Sequence, residues 1–149
     1  MTSTTNGERR VHWLGTDYAI TVTKAESGGP LGVFEGLVPA GEGPPVHVHH
    51  NEDEVIHVID GSYEFWLDGR TMALAPGGSV FLPRGVPHTF RVTGTKPGRN
   101  LAILTPGGFE RFFIEAAARD LQIPRDMPAL VELANGYGLE FLGPAAWPQ

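Results

Sequence analysis

Between Val11 and Leu104 the chain is cut every few residues by glycine, proline or aspartate, and the pieces between cuts are short and rich in apolar residues. Pieces of that length cannot bury a helix face, but they match strands. Ten runs qualify: Val11–Leu14, Tyr18–Lys24, Gly32–Val38, Val46–His50, Asp53–Ile59, Ser62–Leu67, Thr71–Leu74, Ser79–Leu82, His88–Val92 and Asn100–Thr105. Twenty glycines and 13 prolines sustain the punctuation. Asp60-Gly61 and Asp68-Gly69 signal tight turns, and the second predicts a hairpin of Ser62–Leu67 with Thr71–Leu74. Strands this numerous and regular predict an all-β sandwich or barrel.

The pattern changes after Thr105-Pro106-Gly107-Gly108. Phe109, Phe112, Phe113, Ala116 and Ala117 fall on one helical face. Pro124 stops that helix. Asp126 is placed to cap a second one, with Leu130, Leu133 and Ala134 on its apolar side and Gly136 at its end. Tyr137, Leu139, Phe141, Leu142 and Trp147 follow in a tail. The expectation is one domain over 1–149: a flexible tail to about residue 10, a barrel over 11–105, and short helices and a tail over 106–149.

A net charge of −6 and the lack of a basic block argue against nucleic acid as partner. No apolar run approaches the roughly 18 residues of a membrane span, and the first eight residues lack the apolar stretch of a signal peptide. With no cysteine there is neither a disulfide framework nor thiolate chemistry. A cytoplasmic location is expected.

Chemistry concentrates in Gly41–Glu54, which contains His47-Val48-His49-His50-Asn51-Glu52-Asp53-Glu54, and in Pro83-Arg84-Gly85-Val86-Pro87-His88. Side chains alternate along a strand, so His47 and His49 share a face and Val48 points away. Glu54 shares its face with Ile56 and Val58, and His88 with Phe90 and Val92. A barrel folded with these faces inward brings His47, His49, Glu54 and His88 together as candidate metal ligands. Ile56, Val58, Phe90 and Val92 would then be the walls of a small-molecule pocket. His12, His50 and His57 read as ordinary surface or core histidines, with His50 left open to a supporting position. Three neutral imidazoles and one carboxylate give a divalent ion a formal net charge of about +1. They suit Fe, Mn, Co, Ni, Cu or Zn, and the lack of cysteine argues against a closed structural zinc site.

Gly41, His47, His49, Glu54 and Gly61 match G-x5-H-x-H-x3,4-E-x6-G, and Gly77, Pro83, Gly85 and His88 match G-x5-P-x-G-x2-H-x3-N up to its last position, which is Val92 here. In these motifs the chain resembles the cupin superfamily. The resemblance implies a single double-stranded β-helix barrel of jelly-roll type holding one divalent transition metal per chain, and a homodimer. Val11–Leu14 could serve the dimer contact or pack within its own barrel. Thr105–Phe113 is similar to the corresponding segment of single-domain cupins related to quercetin dioxygenases, although its phenylalanines read first as helix packing. That likeness implies a dioxygenase acting on a flavonol-like, phenolic or enolic molecule. Glu54 would take the substrate's hydroxyl proton, O2 would add, and one carbon would leave as carbon monoxide. The alternatives are a cyclase or isomerase using the metal as a Lewis acid, and a binding protein without turnover.

Overall fold

In the computed structural model, residues 9–148 are described, and residues 1–8 of the expected N-terminal tail lie outside them. The chain runs β1 (Arg10–Trp13), β2 (Thr16–Val22), α1 (Lys24–Ser27), β3 (Gly32–Val38), β4 (Val46–His49), β5 (Asp53–Asp60), β6 (Ser62–Leu67) and β7 (Arg70–Leu74). It continues through β8 (Ser79–Leu82), β9 (His88–Thr93), β10 (Gly98–Thr105), α2 (Glu110–Ala118), α3 (Met127–Gly136) and β11 (Leu139–Gly143). All ten expected strands form, with ends moved by up to two residues.

Two antiparallel sheets result, ordered β1-β2-β3-β10-β5-β8 and β11-β4-β9-β6-β7. Alternation decides what lies between them. On β5, Glu54, Ile56 and Val58 are buried while Val55 and His57 are half-exposed. On β6 the buried set is Tyr63, Phe65 and Leu67. These inward rows pack with Val92, Ala102 and Leu104 into one cluster, each large side chain contributing about 1.5–3 kcal/mol by leaving water.

The hairpin at Asp68-Gly69 closes β6 on β7, with both turn residues at positive φ (47° and 90°) as a type I′ turn requires. Asp60-Gly61 does different work. It carries the chain from β5 in one sheet to β6 in the other.

Two elements differ from the sequence expectation. Lys24 is not strand but the start of α1, because Thr23 and Glu26 form a reciprocal capping box. The tail after Gly136 is partly a strand: β11 pairs with β4, so the C-terminal segment completes a sheet. Asp126 does stand at the N-cap of α3, but its carboxylate accepts from the Gln122 amide (2.9 Å) and caps nothing.

Helix α2 packs on the barrel as its apolar face predicts. Phe112 meets Trp13 edge-on at 5.6 Å, and Phe113 stacks on Tyr18 at 3.9 Å. The N-terminal run Val11–Leu14 therefore belongs to its own sheet, with Trp13 buried against this helix.

Candidate metal centre

Strand β4 turns His47 and His49 inward, and β9 opens with His88 directly opposite His47 in the ladder. Ring centroids lie 4.5 Å apart for His47–His88, 5.2 Å for His47–His49 and 5.6 Å for His49–His88. One nitrogen from each ring falls within 4.8 Å of the others. From the facing sheet, Glu54 places Oε1 3.3 Å from His88 Nε2 and 3.5 Å from His49 Nε2. The four sequence-selected residues thus converge where the sheets meet, and the three histidines are close enough together to be compatible with a metal ion.

Main-chain bonds hold them there. The Gly85 amide donates to the His49 carbonyl (2.8 Å), tying the loop that begins β9 to the strand carrying the other histidines. Gly85 sits at φ 77°, where a side chain would be strained. Upstream of β4, Gly43 passes so close to β9 that a Cβ would collide with the Phe90 carbonyl oxygen. Only glycine permits that approach.

Two of the three rings are also oriented. The Nδ1 of His47 donates to the Pro45 carbonyl (2.8 Å) and that of His88 to the Val86 carbonyl (3.2 Å), freeing both Nε2 atoms as ligands. His88 Nε2 and Glu54 Oε1 are buried and have no hydrogen-bond partner. Such orphaned atoms cost free energy unless something satisfies them. A cation between an imidazole lone pair and a carboxylate oxygen would satisfy both, so the residues fit a metal ion.

The protonation states agree with ligand chemistry. Burial, then the neighbouring His88 and His49, push the His47 imidazole well below its ordinary 6.5, keeping it neutral. Burial works upward on Glu54, but His88 and His49 outweigh it and hold the carboxyl below its usual 4.5. Both shifts make acid destabilising. A depressed histidine binds its proton more readily in the unfolded chain, so its contribution is complete above about 6.5 and is lost as pH falls below that. Glu54 adds a loss in the same direction below about 4.5. Thermal melts of metal-free protein at about pH 8 and about pH 5.5 are expected to show the lower Tm in acid; an equal or higher Tm there would contradict these assignments.

The other histidines lie elsewhere. His12 pairs with Asp17 (2.6 Å), His50 with Glu140 (2.9 Å), and His57 with Ser79 (2.7 Å) on the outer face of β5. Of the expected pocket walls, Ile56, Val58 and Val92 are buried in the core. Half-buried Phe90 leans on Tyr63 and Phe65. Val92 takes the last motif position as a core side chain, while its backbone pairs with Gly41 and Glu42. A surface cleft of about 480 Å³ lined by His50, Val131, Asn135, Gly138, Leu139, Glu140 and Phe141 contains none of the four converging residues.

Four side chains near the site were not selected as site residues from the sequence. Leu139 and Phe141 on β11 register with His49 and His47 and so share their face. The alternation in Leu139-Glu140-Phe141 was the available signal. Buried Glu52 lies in the loop between β4 and β5, with Oε1 3.5 Å from His49 Nδ1. Strand parity says nothing about a loop residue. Phe109, at the start of α2, meets the His49 ring edge-on at 4.5 Å and closes that side of the site.

Comparison with known proteins places these features in context. The family described as Cupin domain matches residues 34–104, which include all four converging residues. Quercetin 2,3-dioxygenase of Bacillus subtilis is 36% identical over 90 residues, covering 58% of this chain and 26% of that protein. A protein named polyketide synthase CurC, from Streptomyces cyaneus, is 31% identical over 94 residues, covering 62% of this chain and 60% of the relative. The chain thus spans about a quarter of the first and three fifths of the second. Among solved structures, the polyketide cyclase RemF from Streptomyces resistomycificus shares the fold at a TM-score of 0.59 and 23% identity, over 70% of this chain and 79% of that one.

Proposed function

The chain belongs to the cupin superfamily, and from that premise we propose that it is a metal-dependent dioxygenase acting on a flavonol-like, phenolic or enolic small molecule. His47, His49, His88 and Glu54 hold one divalent transition ion, and the whole chain works as one domain with the helices and β11 buttressing the barrel. The observation that carries this reading is the pair of buried, unpartnered atoms, Glu54 Oε1 and His88 Nε2, 3.3 Å apart beside a cluster of three imidazoles. The 36% identity to a quercetin 2,3-dioxygenase spans 90 residues and favours oxygen chemistry.

When bound, the ion supplies Lewis acidity toward a substrate oxygen and, if redox-active, an electron route to O2. The chain's own groups do the rest. Glu54 accepts the substrate's hydroxyl proton at a carboxylate oxygen, acting as general base within hydrogen-bond reach. Ile56, Val58, Phe90 and Val92 exclude water and strengthen the polar contacts inside. His47 is the least buried of the three histidines, and substrate approaches from its side in this reading.

An oxygen electrode tests the reading. Protein loaded in turn with Fe, Mn, Co, Ni or Cu is expected to consume O2 with a flavonol or a related phenol in at least one form. No uptake in any form would overturn the oxygenase assignment.

A second reading on the same site, a non-oxidative cyclase or isomerase, is favoured by the fold shared with the polyketide cyclase RemF. Turnover by the zinc form at the same rate in anaerobic buffer would select it.

We place the protein in the cytoplasm as a homodimer. No helix among the described residues is long and apolar enough to cross a membrane. The dimer reading draws on edge strand β8, whose Phe81 is 55% exposed.

A further inference from the structure

His47 and His88 each give Nδ1 to a main-chain carbonyl, whereas His49 has no such bond. Its Nδ1 is buried without a hydrogen-bond partner, and 3.5 Å away stands Glu52 Oε1, equally buried and equally unpartnered. The two side chains are only 3% and 5% exposed. Among the described residues, His49 is the only basic group within 4.0 Å of the Glu52 carboxylate. A buried donor and a buried acceptor facing each other gain a charge-assisted hydrogen bond by closing a few tenths of an ångström, and each costs free energy if they do not pair.

The loop bearing Glu52 is anchored at both ends. The His50 amide donates to the Gly138 carbonyl (2.8 Å), and Asp53 Oδ1 accepts from the Arg84 amide (2.9 Å). Glu52 therefore stands against His49 on a fixed backbone. We propose that Glu52 is a positioning residue whose carboxylate accepts the Nδ1 proton of His49 and so fixes the tautomer that offers Nε2 to the ion. This inference rests on the metal reading above.

Two variants and one spectrum test the role of Glu52. Glu52→Leu fills the space without an acceptor, and Glu52→Gln keeps an acceptor oxygen without charge. In chelator competition with Zn2+, Glu52→Leu is expected to bind about 10–100-fold more weakly than wild type, with most of the loss recovered in Glu52→Gln. In the zinc-loaded wild type, NMR is expected to show an exchange-protected Nδ1–H resonance on His49 that disappears in Glu52→Leu. Wild-type affinity in both variants, or no protected His49 Nδ1–H in the wild type, would overturn the role of Glu52 while leaving the metal reading intact. The wild-type spectrum decides even if Glu52→Leu fails to fold. A wild type that takes up no Zn2+ would sink the metal reading itself, and this inference with it.

Discussion

His49→Ala and Glu54→Ala are each expected to strip the purified protein of metal, while His57→Ala retains the wild-type content by elemental analysis. His49 and Glu54 project from facing sheets and meet at 3.5 Å, so removing either takes away one of the four converging ligands. Loss of an outer partner typically lowers affinity about 10–100-fold; loss of a direct ligand is expected to exceed that. His57, one residue from Ile56, lies on the opposite face of the same strand and is hydrogen-bonded to Ser79. It controls for strand identity, since only the direction of the side chain separates it from Glu54. Full occupancy in both His49→Ala and Glu54→Ala would show the ligand assignment to be wrong.

The same contrast shows what could be read from the sequence and why. His47, His49, Glu54 and His88 were legible because each lies in or at the start of a strand, where a period of two translates position into direction. The ten strands were legible because turn residues bound each of them. Glu52 was not, since between β4 and β5 the backbone leaves the extended form and parity fails. Strand β11 was missed because its warrant is non-local: Leu139–Gly143 becomes a strand by pairing with β4, some ninety residues earlier in the chain. Helix α1 was missed for a local reason. The alternation in Tyr18–Lys24 outweighed the Thr23–Glu26 capping signal that actually ends the strand.

Phe112→Ala is expected to cost about 3–5 kcal/mol of stability in urea unfolding of metal-free protein, lowering Tm by roughly 10 °C at this chain length. Phe109, Phe112 and Phe113 admit two roles, a gate over the site or packing against the barrel, and the structure separates them by position. Phe112 is 1% exposed and lies among Trp13, Phe109, Phe113 and Tyr137, with ring centroids 5.3–5.8 Å away. Removing it opens a cavity in a close-packed aromatic cluster, and a helix tied at both faces relaxes little to fill it. Phe109 belongs to the same cluster but also touches the His49 ring, so Phe109→Leu, which keeps most of the bulk, is the companion variant. It should perturb metal affinity more than Phe112→Ala does for a smaller loss of stability. A gate would behave in the opposite way: Phe112→Ala would leave stability within about 0.5 kcal/mol, as at an exposed position, and alter turnover instead. Helix α2 is then part of the wall against which the site is built, and Phe109 is where that wall meets the chemistry.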